Sequence, residues 1–203
     1  MKQTAMTIAY PVGKNLYLNL TNRCPCACTF CIRTMGSSAY GSDPLWLEHE
    51  PSWEEVKAAL DAVDVCSYEE VVFCGFGEPT ERLELLCKTA AYLKEQGVRC
   101  IRLNTNGLSD LLHGRKTAQD LHGLVDIVSI SLNAGTEEEY GKVTRPKFSN
   151  AFAALQEFAA DCKNSVPTVM YSVVDVLPKT ELDAAQALAD RQGIPLRVRK
   201  FDH

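Results

Sequence analysis

Six short segments that read as strands, at residues 16–20, 71–74, 100–103, 125–132, 169–176 and 196–201, are separated by stretches of helical spacing. That alternation constrains the fold more than any other feature of the chain. Residues 54–63 place Val56, Leu60 and Val63 on one helical face. Residues 80–96 predict the clearest helix: Thr80 can cap it, and Leu83, Leu86, Cys87, Ala90 and Leu93 form its stripe. Gly97 sits where a C-cap glycine belongs. Residues 109–121 are helical but weakly patterned and interrupted by Gly114. A longer helical region is broken near Pro146, and Phe152, Leu155, Ala159 and Cys162 form the inward face of its second part. Residues 180–191 supply a last helix. Strands alternating with helices mean a parallel α/β sheet. Right-handed crossovers either curl such a sheet into an open partial barrel or leave it doubly wound. In both cases a site belongs at the C-terminal ends of the strands.

With 203 residues the chain fits a single domain, expected here to run over residues 1–203 with no appended cysteine-rich domain. A net charge of −5 gives no global field for nucleic acid. Arg197, Arg199 and Lys200 are the only short basic cluster and read as a solvated strand end. Residues 1–10 lack a charged segment followed by an apolar one, so no signal peptide is expected. No apolar run nears the roughly 18 residues of a membrane span. Nine cysteines, an odd number in a chain this size, point away from a disulfide framework and toward reduced thiols in use. The expectation is a cytoplasmic protein with iron–sulfur chemistry and no membrane partner.

The thiols concentrate directly after the first predicted strand, in Cys24-Pro25-Cys26-Ala27-Cys28-Thr29-Phe30-Cys31. Cys24, Cys28 and Cys31 stand in the spacing Cys-x3-Cys-x2-Cys. Close spacing on one loop lets thiolates wrap an iron–sulfur cube, one sulfur to each corner. Three local ligands leave one iron open to a small molecule, as a catalytic metal keeps an open position. Cys26 breaks the count, and Cys24-x-Cys26 or Cys28-x2-Cys31 could be read as zinc spacing. No second Cys-x2-Cys pair and no His-x3-His pair follows to complete such a site.

This segment resembles the signature of the radical S-adenosylmethionine (SAM) superfamily, Cys-x3-Cys-x-aromatic-Cys, with Phe30 in the aromatic slot. The resemblance implies a partial (β/α)6 TIM-like barrel, an open parallel sheet with outer helices. It implies a [4Fe–4S] cluster on Cys24, Cys28 and Cys31, whose open iron binds the amino and carboxylate groups of SAM, with Phe30 near the adenine. It implies an enzyme that cleaves SAM reductively to methionine and a 5′-deoxyadenosyl radical, which abstracts hydrogen from a substrate. An external electron donor of flavodoxin or ferredoxin type would be its redox partner.

Further residues fit that pattern in order. Gly75-Phe76-Gly77-Glu78-Pro79 resembles the family's Gly-Gly-Glu motif; glycines allow close backbone approach and a carboxylate suits an ammonium group. On its own the segment reads as a strand-to-helix turn. Asn104 and Asn106, ahead of Gly107, resemble the polar ending of the family's third strand. Ser129, Ser131 and Asn133 fall on alternate positions of the fourth predicted strand and so share one face, pointing to a polar interior. Asp175, Arg197, Arg199 and Asp202 lie on or after the last two strands, where the family contacts SAM or substrate.

Cys66, Cys87, Cys100 and Cys162 fit apolar faces, and Cys74 precedes the glycine motif. His49, His113, His122 and His203 are scattered. The longest irregular stretch, residues 33–52, is long enough to expect a functional or disordered loop. Its Tyr40 and Trp46 are candidates for substrate contact or a lid, together with Asp175 and Arg199.

The whole chain is similar to short radical SAM proteins associated with TatD-type nucleases. That similarity rests on residues 15–24, on Cys31-Ile32-Arg33 and on Leu45-Trp46-Leu47-Glu48 through Glu50-Pro51. It implies a functional link to such a nuclease and names no substrate. Two rival functions remain: an activase that installs a glycyl radical on a partner protein, and a non-catalytic iron–sulfur redox protein.

Overall fold

Among the described residues seven strands form, one more than the six predicted segments. The computed structural model describes residues 3–200. Phe201 and Asp202, at the end of the last predicted strand, and His203 lie outside the described residues. The chain divides into two compact units.

The first unit carries β1 (Ala9–Val12), β2 (Asn15–Leu18), β3 (Val71–Phe73) and β4 (Ile101–Thr105) through its fourth residue. These strands follow chain order. β1 is antiparallel to β2, with Tyr10 opposite Tyr17, and β2, β3 and β4 are parallel. The sequence hid β1 because Pro11 interrupts it; proline is tolerated on such an edge strand, where no ladder donor is needed. Gly13, at φ 59°, makes the tight turn into β2. Every residue of β3 is buried, as a strand packed on both faces must be.

Among the described residues the α-helices of this unit are α1 (Trp53–Asp61) and α2 (Leu83–Glu95). Ser52 caps α1: its hydroxyl accepts the Glu55 N–H, and the Glu55 carboxylate accepts the Ser52 N–H at 2.8 Å. The helix predicted over 80–96 begins instead with a 3-10 turn, Pro79–Arg82, before α2. Thr80 is not the cap. Glu78 is, its carboxylate accepting the Thr80 N–H at 3.1 Å. Proline at the first position of that turn fixes φ and has no donor to leave unmet, which is why the turn starts there. Leu86, Ala90 and Leu93 of α2 are fully buried, each leucine contributing about 2 kcal/mol by transfer from water.

The second unit carries β5 (Ile127–Ser131), β6 (Thr168–Val174) and β7 (Leu196–Arg199), parallel and in chain order. Its helices are α3 (Ser109–His113), α4 (Glu137–Thr144), α5 (Ala151–Cys162) and α6 (Lys179–Gln192). The weak helical stretch predicted over 109–121 is only α3 and a 3-10 turn, because Gly114 ends α3 in the left-handed region at φ 63°. Phe152, Leu155, Ala159 and Cys162 of α5 are all buried, as their spacing predicts.

Two substitutions test these elements. Ser52→Ala removes the cap of α1 and lowers unfolding free energy by about 1 kcal/mol. Gly141→Ala, in α4 with open space around the added carbon, raises it by about 1 kcal/mol. Urea titrations of both variants against the parent measure the two shifts.

Candidate functional site

In the first unit, backbone is drawn against backbone directly ahead of the cysteine loop. A Cβ on Gly77 would overlap the Thr21 carbonyl and lie 2.6 Å from the Arg23 carbonyl oxygen. A Cβ on Gly75 would lie 2.6 Å from Cγ of Asn19. Both motif glycines therefore serve the close approach of residues 75–78 to residues 19–23. Glu78 N–H donates to the Arg23 carbonyl at 2.8 Å. Asn19 is fully buried; its Oδ1 accepts the Phe76 N–H at 3.3 Å and its Nδ2 donates to the Leu45 carbonyl at 2.8 Å. Glu78 itself is 4% exposed, and its Oε1 accepts from the Thr80 hydroxyl at 2.9 Å as well as from the Thr80 N–H.

In the second unit, the middle of the cysteine loop pairs like a short strand with the end of α4 and the residues after it. Pro25 O accepts the Lys147 N–H at 2.8 Å, Ala27 N–H donates to Thr144 O at 3.0 Å and Thr29 N–H donates to Val143 O at 2.8 Å. Cys26 sits at an antiparallel bridge to Pro146 and is 5% exposed, with Asn106 Nδ2 3.9 Å from its sulfur. Arg145, at φ 46°, turns the chain out of α4 so that this pairing can form. Nothing near Cys26 in the sequence announces its partner, which comes from the far side of α4.

None of the nine cysteines forms a disulfide. Cys24, Cys28, Cys31 and the aromatic Phe30 are half-buried, whereas Cys26 is buried. Cys74 is half-buried too. Cys66, expected on an apolar face, is exposed, its thiol 3.2 Å from the Gln96 carbonyl. It lies in a 3-10 turn, where helical spacing does not apply. Cys162 is fully buried; burial, followed by Asp110 and Asp161, pushes its thiol up to about 12, so it stays protonated and unreactive.

The remaining predicted residues fall in different places. Asn104 is half-buried on β4, and its buried Oδ1 has no hydrogen-bond partner. Asn106 also caps its own turn, its Oδ1 accepting the Leu108 N–H at 2.9 Å. Ser129 is buried and Ser131 half-buried on β5. Asn133 lies beyond the strand rather than on it, at φ 60°, so strand alternation does not set its direction. It is 5% exposed, and its Oδ1 is likewise buried without a hydrogen-bond partner. Tyr40 is 53% exposed and held at φ 53°. Trp46 is half-buried, edge-on to Phe76 with ring centroids 5.3 Å apart. Asp175 is exposed just after β6, its N–H donating to the Arg199 carbonyl at 3.0 Å, and Arg199 is half-buried on β7. Tyr10 donates its hydroxyl to the Cys74 carbonyl at 3.0 Å, and burial raises its pKa, with Cys74 adding to the shift.

The donor set suits an iron–sulfur cube. The loop presents three half-buried thiols and withdraws the fourth by packing it. Among the described residues no three His, Cys, Asp or Glu side chains gather around a point as a single metal ion requires. A cube takes one thiolate at each of its ligated irons, and the half-buried Cys24, Cys28 and Cys31 supply three. In the first unit the buried, unsatisfied oxygen of Asn104 is an acceptor that a donor group could satisfy, and in the second unit that of Asn133 is another.

The family model that matches the chain is that of the radical SAM superfamily, over residues 18–189. A GTP 3′,8-cyclase of Corynebacterium glutamicum is 31% identical over 183 residues, covering 84% of this chain and 46% of the cyclase. A GTP 3′,8-cyclase of Staphylococcus carnosus is 30% identical over 118 residues, 57% of this chain and 33% of that one. The chain thus spans less than half the length of these curated relatives. Among solved structures, SuiB of Streptococcus suis bound to precursor peptide SuiA is similar with a TM-score of 0.65 at 13% identity, over 94% of this chain and 40% of SuiB. SuiB bound to S-adenosylmethionine gives 0.63 at 14% identity, over 95% of this chain and 40% of that chain. These likenesses show the fold: an α/β arrangement of seven mostly parallel strands with flanking helices, the partial barrel that the resemblance implies. No helix among the described residues is long and apolar enough to cross a membrane.

Gly77→Ala tests the close approach. The added carbon has backbone on two sides that cannot move aside, so the variant loses about 3 kcal/mol or more. Urea denaturation of the apoprotein measures the loss, and a change below about 1 kcal/mol would show that the two turns are not in register as described.

Proposed function

The chain belongs to the radical SAM superfamily, a family of enzymes, and from that premise we propose that it holds a [4Fe–4S] cluster on Cys24, Cys28 and Cys31 and cleaves SAM reductively. The observation that carries this reading is the sorting of the loop's four thiols: three half-buried, and one, Cys26, packed away by strand-like pairing. When bound, the reduced cluster and SAM supply homolysis of the C5′–S bond, giving methionine and a 5′-deoxyadenosyl radical that takes hydrogen from a substrate C–H bond.

The chain's own part is to bind and to orient. The three thiolates are the cluster ligands, and the loop's backbone bonds fix where they stand. Glu78, buried and held by the two Thr80 donors, presents a carboxylate suited to an ammonium group. Phe30 offers a flat apolar surface to a base. Asn104 and Asn133 supply buried acceptors; Asn106 and Ser131 add hydroxyl and amide groups. Tyr40, exposed on residues 33–52, and Asp175 with Arg199, at the β6 and β7 ends, are the residues available to a substrate.

What the chain is proposed to share with the cyclases is radical generation; their substrate belongs to proteins about twice its length. An external one-electron donor of flavodoxin or ferredoxin type completes the proposal. A functional link to a TatD-type nuclease rests on residues 15–24, 31–33 and 45–51.

The test is anaerobic reconstitution with iron and sulfide, followed by dithionite and SAM, with 5′-deoxyadenosine as the readout. The parent protein is expected to form it. Cys24→Ala, Cys28→Ala and Cys31→Ala each abolish it with loss of the cluster, whereas Cys26→Ser keeps the cluster. A cluster that forms and leaves SAM intact contradicts the enzymatic reading; a cluster lost in Cys26→Ser reassigns the ligands.

A further inference from the structure

Resting on that reading of the cysteine loop, we infer that Asn22 is a positioning residue, which ties the segment 45–50 to both ends of the loop and so fixes the cluster ligands Cys24 and Cys31. Asn22 stands two residues before Cys24. Its amide meets the Leu47 backbone at two points, Nδ2 donating to the carbonyl at 2.7 Å and Oδ1 accepting the N–H at 3.0 Å. That pairing copies a β-ladder with a side chain in place of a strand. The Asn22 carbonyl accepts a long bond from Arg33 Nη1 at 3.5 Å, and Arg33 stands two residues after Cys31.

The neighbours of Asn22 hold the same segment. The Thr21 hydroxyl, buried, donates to Glu50 Oε1 at 2.8 Å and accepts the Arg23 N–H at 2.9 Å. Glu50 Oε1 also accepts the Asn22 N–H at 3.3 Å, and its Oε2 accepts from Arg82 Nη1 at 3.1 Å. Arg82 Nη2 donates in turn to the Pro51 carbonyl at 3.1 Å. On the other side of the segment, the Trp46 carbonyl accepts the Ala5 N–H at 3.0 Å. Residues 45–51 are therefore a fixed strap, bonded on both sides. A lid, if residues 33–52 provide one, is confined to the part around Tyr40 that these bonds do not reach. The three segments whose sequences carry the resemblance to one radical SAM subgroup are the three that Asn22 joins.

A residue that orients metal ligands from outside the ligand set typically changes metal retention by about tenfold or more when removed. The anaerobically reconstituted parent, Asn22→Ala, Asn22→Asp and Val56→Ala are compared for iron release to a chelator and for the electron paramagnetic resonance spectrum of the reduced cluster. Val56→Ala removes buried volume from α1, takes no part in these hydrogen bonds and controls for general loosening. Asn22→Ala is expected to release iron about tenfold faster with a changed spectrum. Asn22→Asp, which keeps the acceptor and loses the donor, falls between it and the parent. Val56→Ala keeps the parent rate and spectrum. If Asn22→Ala does not fold, Asn22→Asp decides alone. Parent-like rate and spectrum in the Asn22 variant, or an equal effect in Val56→Ala, overturn the inference. A parent protein that takes up no iron overturns instead the assignment of the cysteines.

Discussion

The contact on which the site depends is the one that allows no side chain at Gly77. There the turn after β3 lies against the carbonyls of Thr21 and Arg23, and the Glu78 N–H reaches the Arg23 carbonyl. One residue further along the chain is Cys24. A backbone held by backbone has no rotamers to lose, so the chain reaches its first thiol in one direction. The same contact orders the other side: Glu78 caps the following turn with its side chain while its N–H is spent on Arg23. Two glycines thus act as spacing elements that bring two loops within hydrogen-bond reach.

Within the second unit the loop is governed by a different device. Its residues 25–29 borrow a ladder from the end of α4, and the alternation of an extended segment then separates its side chains. Cys26 is turned into the unit and Ala27 is exposed, with Cys28 half-buried. Of the loop's four cysteines one is packed away and three stay half-buried. Oxidation of the packed thiol, or its capture of iron, would require this ladder to open.

Much of the fold is legible because burial dictates residue type. β3 is an apolar run since it is covered, and α5 shows its inward face since Phe152, Leu155 and Ala159 are all buried. β1 is not legible, because an edge strand of four residues containing Pro11 lacks the signal of a buried one. The start of the α2 region misleads for a local reason: Thr80 looks like a cap, yet Pro79 opens a 3-10 turn one residue earlier and passes the role to Glu78. Asn133 fits strand alternation on paper and leaves it in space, since the chain turns left-handed there. The spacing of Cys24, Cys28 and Cys31 is local and therefore readable. The anchors of the loop are not: Pro146 for Cys26, and Leu47 for Asn22, are distant in sequence, and side-chain bonds to backbone leave no periodic trace.

The central claim is that three thiols of this loop leave one iron of a cube open for SAM. Mössbauer spectroscopy of the iron-57-loaded protein tests it most directly, before and after SAM is added in the absence of reductant. The account predicts that one iron site separates from the other three when SAM is present, as an iron gaining amino and carboxylate ligands must. A spectrum unchanged by saturating SAM, or one whose sites cannot be assigned to a four-iron cluster, would contradict it.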